Sequence, residues 1–392
     1  MLNSLISIIK REKTVLANSG YNLLANIAGS AIGLTTNFIL SLILGPSGFG
    51  TFKTITAFFE NLPVTLGLNT TLTKYIPELE TQGNLGKIKY LLKSFFTVRI
   101  GIILVFLVPL YVLREKIASG FLKDPSNLAL MHMGMILFAV NSLDLVRPCV
   151  LGFRNYKLYI ITNFLISALR NISALVCAYL WGLPAAIIAL AFSFIPGIIP
   201  SINYLSKKGL FSAQPVRINS WQIIKNYSLP VYFVGLTGLA GGLNTPLLAL
   251  FYPQKIIGYY SFALIIGSLI ALISGAIGQI FFTEVALEHY KNGVGASFKR
   301  LKRVLILFSL ACAITIPIGI AASGPLIHYL APTYIPAIPI VTPLLFIYSI
   351  IGTLSLITSY YTAISKNKIA AGTNLLSSII LFSLSFLTLK LI

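Results

Sequence analysis

Eleven apolar runs, each about twenty residues long and bounded by charged or Gly/Pro punctuation, leave this chain very few folds to choose from. They fall near Gly20 to Leu44, Phe52 to Leu72, Leu91 to Leu113, Ser126 to Arg147, Leu158 to Trp181, Leu183 to Leu205, Asn226 to Phe251, Ile257 to Phe282, Val304 to Ala322, Ile335 to Ile364 and Ile369 to Leu391. A helix needs roughly 20 apolar residues to cross a hydrocarbon core of about 30 Å. A membrane strand instead alternates over about ten. Runs this long and continuous predict an all-α polytopic membrane protein, and only 10% of the residues are charged, where a soluble domain carries about 25%. No spacer is long enough for a separate soluble domain.

The cations set an orientation. Of 29 Lys and Arg, 21 lie in the N-terminal tail and the even-numbered connections; six lie opposite (Lys53, Arg114, Lys116, Lys123, Lys255 and Lys390), and Arg99 and Arg170 lie within runs. By the positive-inside rule the N-terminus and the even connections are cytoplasmic. The formal charge of +20 is therefore topology, and nucleic acid is not an expected partner because the cations follow the connections instead of one face. Leu2 to Ile9 is too short to span and reads as an interfacial helix; no cleavage site follows it. Cys149, Cys177 and Cys312 are widely spaced, and His132, His289 and His328 are isolated. Neither a disulfide framework nor a metal site is expected, and no cofactor.

The chain also repeats itself at an offset of about 206 to 211 residues. Gly50 through Pro77-Glu78 to Lys87 and Lys89 aligns with Gly258 through Glu284 to Lys299, Arg300 and Lys302, and Gly152 to Lys157 with Thr162-Asn163 aligns with Ala363 to Lys368 with Thr373-Asn374. Both halves start from the same side, so two pseudo-symmetric helical lobes around a central cavity are expected. They are residues 1–206, an interfacial helix plus six spans, and 226–392, five spans. Residues 207–225 read as a cytoplasmic linker without structure of its own. The run Leu183 to Leu205 has no counterpart before Ile392, so a twelfth span is missing from the pattern.

Asn18 to Asn22, then Leu44-Gly45-Pro46-Ser47-Gly48-Phe49-Gly50-Thr51-Phe52, Gly67-Leu68 and Lys74-Tyr75-Ile76-Pro77-Glu78, resemble the polysaccharide-transport (O-antigen flippase) family of the MOP exporter superfamily. The resemblance in topology covers the whole chain. It implies two lobes of six helices, alternating access, and movement of undecaprenyl-diphosphate-linked oligosaccharide across a bacterial inner membrane. The chain departs from that pattern in having eleven spans and no charge in the first.

Charges inside spans cost a few kcal/mol each and are functional candidates by default. The four are Glu60, Arg99, Asp144 and Arg170, all in the first half; the repeat places Ser268 near the position of Glu60 and Leu381 at that of Arg170. Arg170 sits mid-span on one face with Asn163, Ser167 and Ala174. Its planar fork suits a diphosphate or a sugar carboxylate, the alternative being an ion pair with Glu60 or Asp144. Glu60, three residues before Pro63, is either a proton-coupling carboxyl or an arginine's partner. Arg99 stands within reach of the headgroups, and Asp144 reads as a local interfacial pair with Arg147. These four candidates balance at two positive and two negative. Asn22, Asn26, Gly29, Gly33 and Asn37 form a small and amide stripe on the first span, either packing glue or cavity lining. Pro230, Gly235, Gly238, Gly241, Gly242 and Pro246 interrupt the seventh span and suit a bending gate helix.

The expected function is a flippase for lipid-linked oligosaccharide, driven by a proton or sodium gradient, since no phosphate-binding loop for ATP occurs. Membrane lipids and other polysaccharide-assembly membrane proteins are the expected partners. An ion-coupled multidrug-type exporter of the same superfamily is the alternative, with a membrane-embedded glycosyltransferase or polymerase third.

Overall fold

A computed structural model describes residues 2–62, 65–123, 127–364 and 366–391, with the side chains of 2–27 and of scattered positions from 234 onward outside that description. The helices are α1 (Leu2–Glu60), α2 (Leu68–Thr81), α3 (Leu85–Val112), α4 (Arg114–Ile117), α5 (Leu128–Ser142), α6 (Val146–Gly152), α7 (Tyr156–Phe192), α8 (Phe194–Lys207), α9 (Ser220–Ile223), α10 (Leu229–Gly242), α11 (Asn244–Ala249), α12 (Gln254–Leu330), α13 (Ile338–Ala363) and α14 (Asn367–Thr388). No strand occurs among the described residues. Among the described residues, eight helical stretches are long and apolar enough to cross a membrane.

Eleven passes emerge once two local devices are recognised. First, α1, α7 and α12 each hold two passes joined at one glycine: Gly45 (φ 66°, ψ 173°), Gly182 (φ 78°, ψ −166°) and Gly293 (φ 78°, ψ −172°). A Cβ in this left-handed region would crowd the following carbonyl, so glycine permits a reversal that needs no separate loop. Second, four passes break midway: the second between Glu60 and Leu68, the fourth between Ser142 and Val146, the sixth at Ser193, and the seventh at Leu243. The expected uninterrupted second run from Phe52 to Leu72 is thus two helices. Pro63 lies outside the described residues. In the fourth pass, Pro148 cannot donate to the carbonyl of Asp144, so the helix restarts at Val146. The N-terminal segment expected as a separate interfacial helix runs into the first pass unbroken up to Gly45.

The breaks coincide with a division of the core. In the first half one apolar cluster gathers around Phe49, Phe59, Leu137 and Ile187, and a second around Leu72, Phe95, Val150 and Leu205. Between them lies a polar layer. Among the described residues the second half has one cluster, built on Tyr260, Phe308, Tyr334 and Leu344. Tyr179, Trp181 and Tyr329 are 76%, 68% and 83% exposed beside the Gly182 turn and the end of α12, positions where aromatic side chains mark a membrane surface.

The halves meet where α1 crosses α12. A Cβ at Gly50 would overlap the Gln254 carbonyl, and one at Gly258 would overlap the Pro46 carbonyl. Pro46 and Gln254 stand at the same 208-residue offset as Gly50 and Gly258, so the contact is reciprocal, as at a two-fold axis. Thr54 Oγ1 also donates to Gln254 Oε1 over 2.9 Å. The linker differs from expectation. Val216 N–H donates to Gly86 O over 3.0 Å, Lys89 Nζ to Ala213 O over 2.9 Å, Leu210 is fully buried, and α9 begins before residue 225.

Candidate functional site

The polar layer of the first lobe encloses two adjoining cavities of about 320 Å³ and about 250 Å³, which share Glu60, Arg170 and Leu190. The larger is walled by the broken ends of three passes: Glu60 and Thr65 from the second, Ser142 and Asp144 from the fourth, Ser193 from the sixth. Irregular backbone at membrane depth survives only where protein or a wet cavity satisfies its polar groups. The charged side chains found here do that.

Arg170 projects from α7 and pairs with Glu60, the last residue of α1. Their side chains keep 30% and 29% of their surface accessible, and both line the two cavities. The ion pair and the cavity position expected as alternatives for Arg170 therefore occur together. Asp144 and Arg147 are paired, as expected. Asp144 is 6% exposed in the helix break, where its carboxylate also accepts from the Arg147 N–H, in the first turn of α6, over 3.3 Å. Arg147 Nη1 donates to Asn163 Oδ1 over 2.8 Å, tying the fourth pass to the fifth.

Arg99 departs most from expectation. It does not reach toward headgroups but is 2% exposed. Its guanidinium donates to Ser142 O (3.1 Å), Thr65 O (3.4 Å) and Asn69 Oδ1 (2.8 Å), braced across two helix breaks. Ser142 is the C-terminal residue of α5, where a cation is favoured by both hydrogen bonding and the helix dipole.

The smaller cavity exposes a second correction. Lys53, expected in an outer connection, stands inside α1 and lines this cavity with Thr36, Asn37, Thr56 and Asn171. Its Nζ donates to Asn37 Oδ1 over 2.7 Å. With Lys53 and Arg147 included, the cavities carry four cations against two carboxylates, so the expected charge balance is replaced by a cationic excess. The spacing of Lys53, Thr56 and Glu60, three and four residues apart, is a helical face that could have placed Lys53 correctly.

The first-span stripe divides. Asn37 lines the cavity, and Gly29 and Gly33 face Ser167 and Asn171 of α7, so that part is packing. The side chains of Asn22 and Asn26 lie outside the described residues. In the seventh pass Pro246 occupies the first turn of α11, where no helical donor is lost, whereas Pro230 follows directly on a π-helical stretch, Ile224–Ser228, that joins α9 to α10 without a break. The break falls at Leu243, next to Gly242, whose carbonyl accepts from Asn61 Nδ2 over 3.2 Å. Gly241 faces Ser378 with ordinary spacing; the surroundings of Gly235 and Gly238 lie outside the described residues.

A sequence profile of the polysaccharide biosynthesis protein family matches residues 15–282. No curated relative matches the chain in sequence. Among solved structures it is similar to an inward-facing multidrug resistance MATE family transporter of the MOP superfamily, with TM-score 0.71 and 10% identity over 92% of this chain and 94% of that one. It is also similar to the lipid II flippase MurJ in an inward closed conformation, with TM-score 0.66 and 13% identity over 93% and 86%. The bent form of the Vibrio cholerae MATE transporter VcmN gives TM-score 0.52 and 15% identity over 99% and 97%. At these identities the likeness is one of fold.

Proposed function

The chain belongs to the polysaccharide biosynthesis protein family and is a multi-pass membrane transporter; from that premise we propose that it flips undecaprenyl-diphosphate-linked oligosaccharide across the bacterial inner membrane. The observation that carries this reading is the cationic cavity between the two apolar clusters of the first lobe, walled by broken helices. Broken helices at membrane depth are the usual setting of a transporter's binding site. Arginine forks match phosphoryl oxygens bidentately, and a low-dielectric site magnifies the match. An exporter of organic cations would require an acidic cavity, whereas this one has four cations and two carboxylates.

In this reading the N-terminus and the lysine-rich connections face the cytoplasm. The lobes rock about the Gly50–Gly258 crossing, and an ion gradient supplies the energy. Arg170 is the principal contact for the headgroup. Replacing it tests the proposal: Arg170→Ala inserts normally but leaves lipid-linked oligosaccharide on the inner leaflet, and Arg170→Lys restores transport partly. Full complementation by the alanine variant would refute the role given to Arg170, and unaltered leaflet distribution after gene deletion would refute the function.

A further inference from the structure

A site that binds an anion already contains one. Glu60 lines both cavities and is bonded to the arginine best placed to receive a phosphoryl group. Its position is an unfavourable one for a carboxylate, because Glu60 is the C-terminal residue of its helix, where the peptide dipoles present their negative end. Arg170 is what holds it there. Asp144 differs: it pairs with Arg147, accepts from that residue's N–H in the first turn of α6, and lies in the larger cavity alone, so its charge is satisfied by the fold. On the same helical face as Glu60, seven residues earlier and so about 10 Å back along the axis, Lys53 opens into the smaller cavity. Its bond to Asn37 uses one of the three donors of an ammonium.

We infer that Glu60 is a built-in counter-anion, displaced from Arg170 by the phosphoryl oxygens of the substrate and received by Lys53. The inference rests on the flippase reading above. No bond is made or broken and no proton is transferred; one carboxylate changes cationic partner. While the cavity is empty, Glu60 offsets the repulsion among its cations. When substrate arrives, Lys53 accepts the displaced charge, so Arg170 becomes available at reduced cost. At release Glu60 returns to Arg170 and competes the substrate off, which keeps an arginine-lined site from trapping a diphosphate.

The test measures binding of farnesyl diphosphate to the full-length protein in nanodiscs, beside flipping of undecaprenyl diphosphate in proteoliposomes. Wild type binds the probe. Glu60→Gln binds it about fivefold more tightly, yet turns over more slowly because release is impaired. Lys53→Gln weakens binding in the wild-type background and has no effect in the Glu60→Gln background, since no displaced charge then needs a host. Binding by Glu60→Gln that is equal to or weaker than wild type overturns the inference. So does an equal loss from Lys53→Gln in both backgrounds, which would make Lys53 a direct ligand of the anion. Failure of wild type to bind the probe at all would instead remove the flippase reading, and this inference with it.

Discussion

Two buried side chains, Arg99 and Tyr260, show how single residues hold each lobe together. Arg99 satisfies carbonyls at the breaks of two passes and the side-chain amide of Asn69 in α2, beyond the first of those breaks. A lysine there would present a point charge in place of a fork and could not span the same acceptors. Arg99→Lys is therefore expected to lower stability by roughly 1–3 kcal/mol, read as a lower melting temperature in detergent. Tyr260 lies fully buried in the second lobe; its hydroxyl meets Asn244 Nδ2 at 2.6 Å and Ser385 Oγ at 2.8 Å, joining α11, α12 and α14. Removing that hydroxyl in Tyr260→Phe leaves Asn244 Nδ2 and Ser385 Oγ only their own long contact of 3.5 Å and should cost a similar amount. The same thermal scan checks it, and an unchanged melting temperature would show that the network is dispensable.

At the scale of elements, two kinds of glycine separate cleanly. Gly45 adopts positive φ, but a Cβ built there meets nothing within 4 Å. Gly45→Ala thus carries only conformational strain of about 1–2 kcal/mol, and transport should survive. Gly50 and Gly258 are ordinary helical residues in φ and ψ that face backbone carbonyls of the opposing lobe. Backbone cannot move aside as a flexible side chain can, so Gly50→Ala or Gly258→Ala must push the crossing helices apart. Transport by either variant in proteoliposomes should fall by well over tenfold while insertion persists. Equal effects at Gly45 and Gly50 would deny the crossing its role as pivot.

For the molecule as a whole, the second pass of one lobe is stitched to the seventh pass of the other well away from the Gly50–Gly258 crossing. Thr71 Oγ1 and Ser228 Oγ are 2.7 Å apart and buried, while Lys74 Nζ sits 3.9 Å from the ring centroid of Tyr227. Side chains this close on facing helices suit a disulfide. In a chain whose Cys149, Cys177 and Cys312 are replaced by serine, the pair Thr71→Cys with Ser228→Cys should oxidise readily, stop flipping, and recover with reductant. Undiminished flipping in the oxidised protein would mean the lobes do not part at this contact during transport.

The eleven passes and the four charges placed within them were legible in the residues themselves, because whether a twenty-residue run prefers lipid depends only on that run. The repeat was legible too, and its offset of about 208 reappears in the reciprocal contact of Gly50 with Gln254 and Gly258 with Pro46. What a charge does once inside was decided by the tertiary structure. Arg99 is buried rather than snorkelling because helix breaks in two other passes supply its acceptors, and Lys53 belongs to the cavity because a single glycine turns α1 and places Asn37 beside it. A charge can be buried only where partners from distant segments converge on it, and that convergence is a property of the packed helices, not of any one stretch of chain.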